Sequence, residues 1–134
     1  MLNSACATPL DESLTASEKK IRSRFVDMGQ LFQGLHGEDQ EAAFDIGDVA
    51  KLYLCKIEHI RDLRWIESEV CQNEADKRKV ELIIRSRLGA LVEEIDQSIK
   101  LINAATGVLH SNAALLIASK LKDDLRELKE LPGR

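Results

Sequence analysis

The chain is poor in aromatic residues: Phe25, Phe32, Phe44, Tyr53 and Trp65 make up 4% of its 134 positions. A core that aliphatic packs well between helices but offers few flat faces for stacking a nucleobase or a ring cofactor. Proline is nearly absent. Pro9 and Pro132 lie near the two ends, so nothing between them is barred from being helical. The three cysteines, Cys6, Cys55 and Cys71, form no tightly spaced pair, which suits reduced thiols in a cytoplasmic setting. The longest all-apolar run, Ala113 to Ala118, falls far short of the roughly 20 residues that span a bilayer. No charged-then-apolar segment opens the sequence, so a secretory leader is not expected. Basic residues are outnumbered by acidic ones, 19 to 23, for a net charge of −4. That balance disfavours nucleic acid and anionic membrane as partners.

Site chemistry is equally sparse. No Glu-x-x-His pair is present for a carboxylate-bridged metal centre, and the seven glycines are too scattered for a phosphate loop. The serines fall on polar helix faces or at caps, and Cys71 has no histidine near it in sequence. The expectation is a non-catalytic protein without cofactor or metal.

What the sequence does contain is helical periodicity. From Asn73 to Ala105, apolar residues recur at Val80, Ile84, Leu88, Leu91, Ile95, Ile99 and Ile102. Spacing of three and four lays them along one stripe of a helix about 48 Å long. A stripe of that length needs covering, and the other segments carry matching ones. Residues 1–13 read as a loose N-terminal arm and 14–134 as a single helical domain. Thr15-x-x-Glu18 is a capping box that predicts the first helix start. Its stripe is Leu14, Ile21, Phe25, Met28, Phe32 and Leu35, ending at Gly34 and Gly37.

A second helix is expected from about Asp39 through Gly47, or afresh from Asp48, to Cys71. It shows two apolar rows, Val49, Tyr53, Ile57 and Ile60 in one and Leu52, Cys55, Leu63, Ile66 and Val70 in the other. Asn73 reads as the N-cap of the long third helix, and Gly107 as a left-handed residue closing it. The fourth helix, capped by Ser111 or Asn112, carries Ala114, Ala118, Leu121, Leu125 and Leu128. The pattern predicts an all-α antiparallel bundle, four helices up-down-up-down with a long third helix. The near-identical pentads Ile21-Arg22-Ser23-Arg24-Phe25 and Ile84-Arg85-Ser86-Arg87-Leu88 admit duplication of a helical hairpin, or two helices meeting the same demands.

Two functional classes follow. One is a protein–protein interaction module (a small adaptor, an assembly or secretion chaperone, or a complex subunit) presenting helical grooves to a partner. Candidate contacts are Arg61, Arg64 and Trp65, residue types enriched at binding hot spots, and Ala113, Leu116 and Ile117, where helix four is apolar all round. The long third helix, outreaching the first by about 15 Å, would leave part of its stripe bare and favour a homodimer. Gly89 and Ala90 mark where another backbone would approach it most closely. The other class is a ligand-sensing or phosphorelay bundle using His59. Cys55 and His59 are spaced as two ligands for a soft metal ion, yet they fall on an apolar row facing the core, and no second pair accompanies them. Neither His59 nor His110 is followed by the lysine and glycine of a histidine phosphotransfer domain.

Overall fold

A computed structural model describes residues 8–132. Cys6 and the rest of residues 1–7 lie outside the described residues. Four α-helices follow one another: α1 (Pro9–Phe32), α2 (Gly37–Trp65), α3 (Glu74–Thr106) and α4 (Asn112–Leu128). Both α1 and α3 pack against α2 and α4, so consecutive helices are neighbours around an all-α, up-down-up-down bundle. No helix among the described residues is long and apolar enough to cross a membrane.

The first helix begins seven residues, about two turns, before the expected Thr15 start. Thr8 is its N-cap: its Oγ1 accepts from the Asp11 backbone N–H at 3.1 Å, and the Asp11 carboxylate accepts from the Thr8 N–H at 3.2 Å. Pro9 occupies the first helical position, where its missing N–H costs nothing and its fixed φ suits the helix. Residues 8–13 are therefore cap and first turn, not part of a loose arm. The added two turns bury Leu10 against the core. It is held there by Arg64 at the far end of α2, whose Nε and Nη2 donate to the two Asp11 carboxylate oxygens at 2.8 and 2.9 Å.

The second helix runs straight through Gly47, as the first of the two expectations had it. Gly37, at its start, has φ +56°, a conformation that favours glycine at this tight connection. A π-helical turn, Ile66–Val70, prolongs α2, and the Cys71 N–H closes it on the Ile66 carbonyl at 3.0 Å. The chain then breaks, and Asn73 caps α3 by accepting from the Asp76 N–H at 2.8 Å. Gly107 does follow α3, but with φ −60° it is right-handed, so the left-handed closure expected there does not occur. Ser111 caps α4, its Oγ accepting from the Ala114 N–H at 3.2 Å.

The stripes of α3 and α4 are buried as their spacing predicts. Ile84, Leu88, Leu91, Ile95, Ile99 and Ile102 line the core, as do all five apolar positions of α4. The bare end expected on α3 is not observed: only Val80 is left half-buried, because α1 starts early and the α2 extension reaches the same end. In α1 three members of the stripe are buried, Leu14, Ile21 and Met28, while Phe25 is exposed. The pentads thus differ in role, since Leu88, the counterpart of Phe25, is fully buried.

Alanines do more of the work in α2 than its larger residues suggest. Ala42, Ala43 and Ala50 join Ile46, Tyr53, Leu54, Ile57 and Ile60 in the core, while Leu52, Cys55 and Val70 of the supposed second row are exposed. Where polar groups enter the core they are paired. Arg24 Nε donates to the buried Asp124 Oδ2 at 2.8 Å, joining α1 to α4, and Tyr53 and Ser98 share a hydrogen bond between α2 and α3. No buried side-chain polar atom among the described residues lacks a partner.

Candidate interaction groove

Three of the exposed large apolar side chains border one groove. Leu52 on α2, Leu101 on α3 and Val108 in the turn just after α3 are 47%, 56% and 41% exposed. They border a groove of about 600 Å³ running along the α2/α3 seam. Its floor is made by Ala42, Ile46 and Ile102, and Ala104 and Ala105 form part of the α3 wall. Alanine is what leaves the space: longer side chains at 42, 104 and 105 would fill the trough between the leucines.

The α2 wall carries Glu38, Glu41, Asp45 and Asp48, at successive spacings of three, four and three residues. This places four carboxylates on one helix edge. None of them takes part in an ion pair among the described residues, and no cation lines the groove. Like charges three and four apart on a helix cost roughly 0.2–0.5 kcal/mol per pair. Only Glu38, in the first turn, is offset by the positive end of the helix. Beside this row, Asp39 is engaged differently. Its Oδ1 accepts from the His110 backbone N–H at 2.9 Å, a bond that holds its carboxyl below the usual aspartate value and fastens the α3–α4 connection to the start of α2.

A second hollow, of about 340 Å³, continues the same seam toward the C-terminal end of α2. It is polar. Lys56 on α2 and Glu94 on α3 pair at 3.0 Å across the seam, with Cys55, His59 and Arg87 around them. The expectation that Cys55 and His59 face the core is incorrect: both are exposed, because α2 buries Tyr53, Ile57 and Ile60 and turns 55 and 59 outward. No group of three or more His, Cys, Asp or Glu suited to a metal ion occurs among the described residues.

The hot-spot candidates are divided between roles. Arg64 is committed to the structure, bonding Asp11 twice, Thr8 Oγ1 at 2.9 Å and Glu67 at 3.1 Å. Arg61 pairs with Glu18, so it links α2 to α1. Trp65 is 60% exposed and stands among Glu18, Arg22, Glu58, Arg61 and Asp62, on the α1 side of α2 and away from the groove. On α4, Leu116 and Ala113 are exposed and Ile117 is half-buried against the core, so that stretch is neither uniformly buried nor uniformly free. The backbone of Gly89 meets no neighbour: a Cβ built there would find nothing within 4 Å, and no close approach is made.

Comparison with protein-family models, with curated proteins and with solved structures finds no match to this chain.

Proposed function

We propose that this chain is a non-catalytic interaction protein, a small adaptor, assembly or secretion chaperone, or complex subunit, that accepts a partner's helix in the α2/α3 groove. The observation that carries this reading is the exposed apolar set Leu52, Leu101 and Val108 around a preformed trough. A helix laid in such a trough would bury these side chains at anchor spacings of three, four and seven residues. Each fully covered leucine is worth about 1.5–3 kcal/mol. The free thiols of Cys55 and Cys71 favour a reducing compartment, and we assign the protein to the cytoplasm.

The test is binding of labelled amphipathic helical peptides, mapped by amide chemical shifts. Shifts centred on Leu52, Leu101 and Val108, lost on Leu101→Asp, are expected; shifts elsewhere or none would reject the groove. A second copy of the chain is the alternative occupant. A dimer in light scattering that Leu101→Asp dissociates would assign it.

One observation favours a second reading. His59 is exposed in the polar hollow with Lys56 and Arg87, cations able to hold a phosphoryl or other anionic group. This is the ligand-sensing or phosphorelay alternative. A mass gain on incubation with a phosphodonor, abolished by His59→Gln, would favour it over the interaction module.

A further inference from the structure

We propose that the helix taken up by the α2/α3 groove belongs to another protein and is basic, lying with its Lys and Arg residues over Glu38, Glu41, Asp45 and Asp48. This rests on the interaction reading above and names the partner class. The four carboxylates border an apolar floor, spaced so that all share one edge of α2 over ten residues, about 15 Å of helix. Several acidic side chains elsewhere on the surface do find cations: Glu18 pairs with Arg22 and Arg61, Asp96 with Lys129, Glu127 with Lys20 and Glu94 with Lys56. Along the groove edge four carboxylates in a row have none among the described residues, and they border an apolar floor. Basic residues flanking a partner's leucines would meet them in the register that also seats the leucines against Leu52, Leu101 and Val108.

The charge also restricts the occupant. Phosphate-bearing ligands are repelled by this edge, and an acidic helix would add four unfavourable contacts. Farther along the seam the lining changes to His59, Arg87 and the Lys56–Glu94 pair. The run of unpaired carboxylates therefore stops at the groove, and cations on the bound helix belong at that acidic end alone. A helix favours cations near its C-terminus, so the bound helix points its C-terminal half at Glu38 to Asp48.

Two synthetic peptides of about 18 residues, five turns each, test this with the whole chain in fluorescence anisotropy. Both carry the same leucine stripe; one has Lys and Arg on its flanks in the C-terminal half, the other Glu and Asp. The cationic peptide is expected to bind roughly tenfold or more tightly at low salt, as several exposed pairs acting together would give. The preference should shrink as salt rises. Glu41→Lys combined with Asp45→Lys should invert it, and Leu101→Asp should abolish binding of either peptide. Equal binding of both, sensitive to Leu101→Asp, would overturn the basic-partner assignment and leave the interaction reading standing. Absence of binding by either would remove both. A dimer that Leu101→Asp dissociates would make the occupant a second copy and overturn the assignment.

Discussion

Tyr53 Oη and Ser98 Oγ lie 2.8 Å apart, both buried, and join α2 to α3. The pair fixes the relative height of the two helices whose outer edges make the groove. Burial pushes the Tyr53 hydroxyl above its ordinary value, so ionising it works against folding. Tyr53→Phe and Ser98→Ala each strand one polar group in the core and should cost about 1–3 kcal/mol. The double variant should cost less than the sum, because neither unpaired group then remains. Urea unfolding of the four proteins measures the cycle.

Arg64 and Asp11 tie the C-terminal end of α2 to the start of α1. Arg64→Ala should lose about 1–2 kcal/mol and raise amide exchange in residues 9–14 before the rest of the bundle. Arg64→Lys should restore little, since an ammonium cannot bond both carboxylate oxygens. The Arg64 hydrogen bond holds the Asp11 carboxyl below its usual value of 3.8. Its contribution is therefore complete above pH 3.8 and is lost as pH falls through the lowered value. Asp11→Asn should flatten the acid limb of the stability profile, and melting curves through that range would check it.

Leu91 and Ile95 are 1% and 0% exposed, whereas Leu101, on the same helix, is 56% exposed. Asp at either of the first two leaves an unpaired charge in the core and should unfold the bundle. Asp at 101 should change stability by no more than about 0.5 kcal/mol. Far-UV circular dichroism and thermal melting separate the two outcomes, and a folded Leu91→Asp would refute the assigned core face of α3.

Gly47 and Gly89 are helical, and a Cβ built at either finds open space. Alanine at each should stabilise the protein by about 0.5–1 kcal/mol, through lower entropy of the unfolded chain and better helix propensity. Unfolding midpoints that fall instead would mean that these positions are packed more tightly than the structure has them.

The bundle and the long third helix were legible because periodicity reports a buried face directly, and Ile84 through Ile102 obeyed it. The start of α1 was misplaced because Thr8-x-x-Asp11 and Thr15-x-x-Glu18 offer nearly the same cap, and Pro9 reads as a breaker unless it is given the first helical position. The second row of α2 was misjudged for a different reason. Leu52 and Cys55 are as apolar as core residues, and hydrophobicity alone does not distinguish a core from an exposed groove. The small Ala42 and Ala50 took the inward places instead. The carboxylate row was readable in principle, since Glu38, Glu41, Asp45 and Asp48 keep helical spacing. Its bearing on a site depended on Leu101 and Val108, more than fifty residues away in sequence, which line the same groove.

The groove's part in function is tested most directly by titrating the intact chain and its Leu101→Asp variant with the cationic amphipathic peptide, following amide shifts. The expected result is saturable binding to the unaltered chain, with shifts confined to the α2/α3 seam around Leu52, Leu101 and Val108, and none in a folded variant. Equal binding by both proteins, or shifts centred on Trp65 or Leu116, would contradict it.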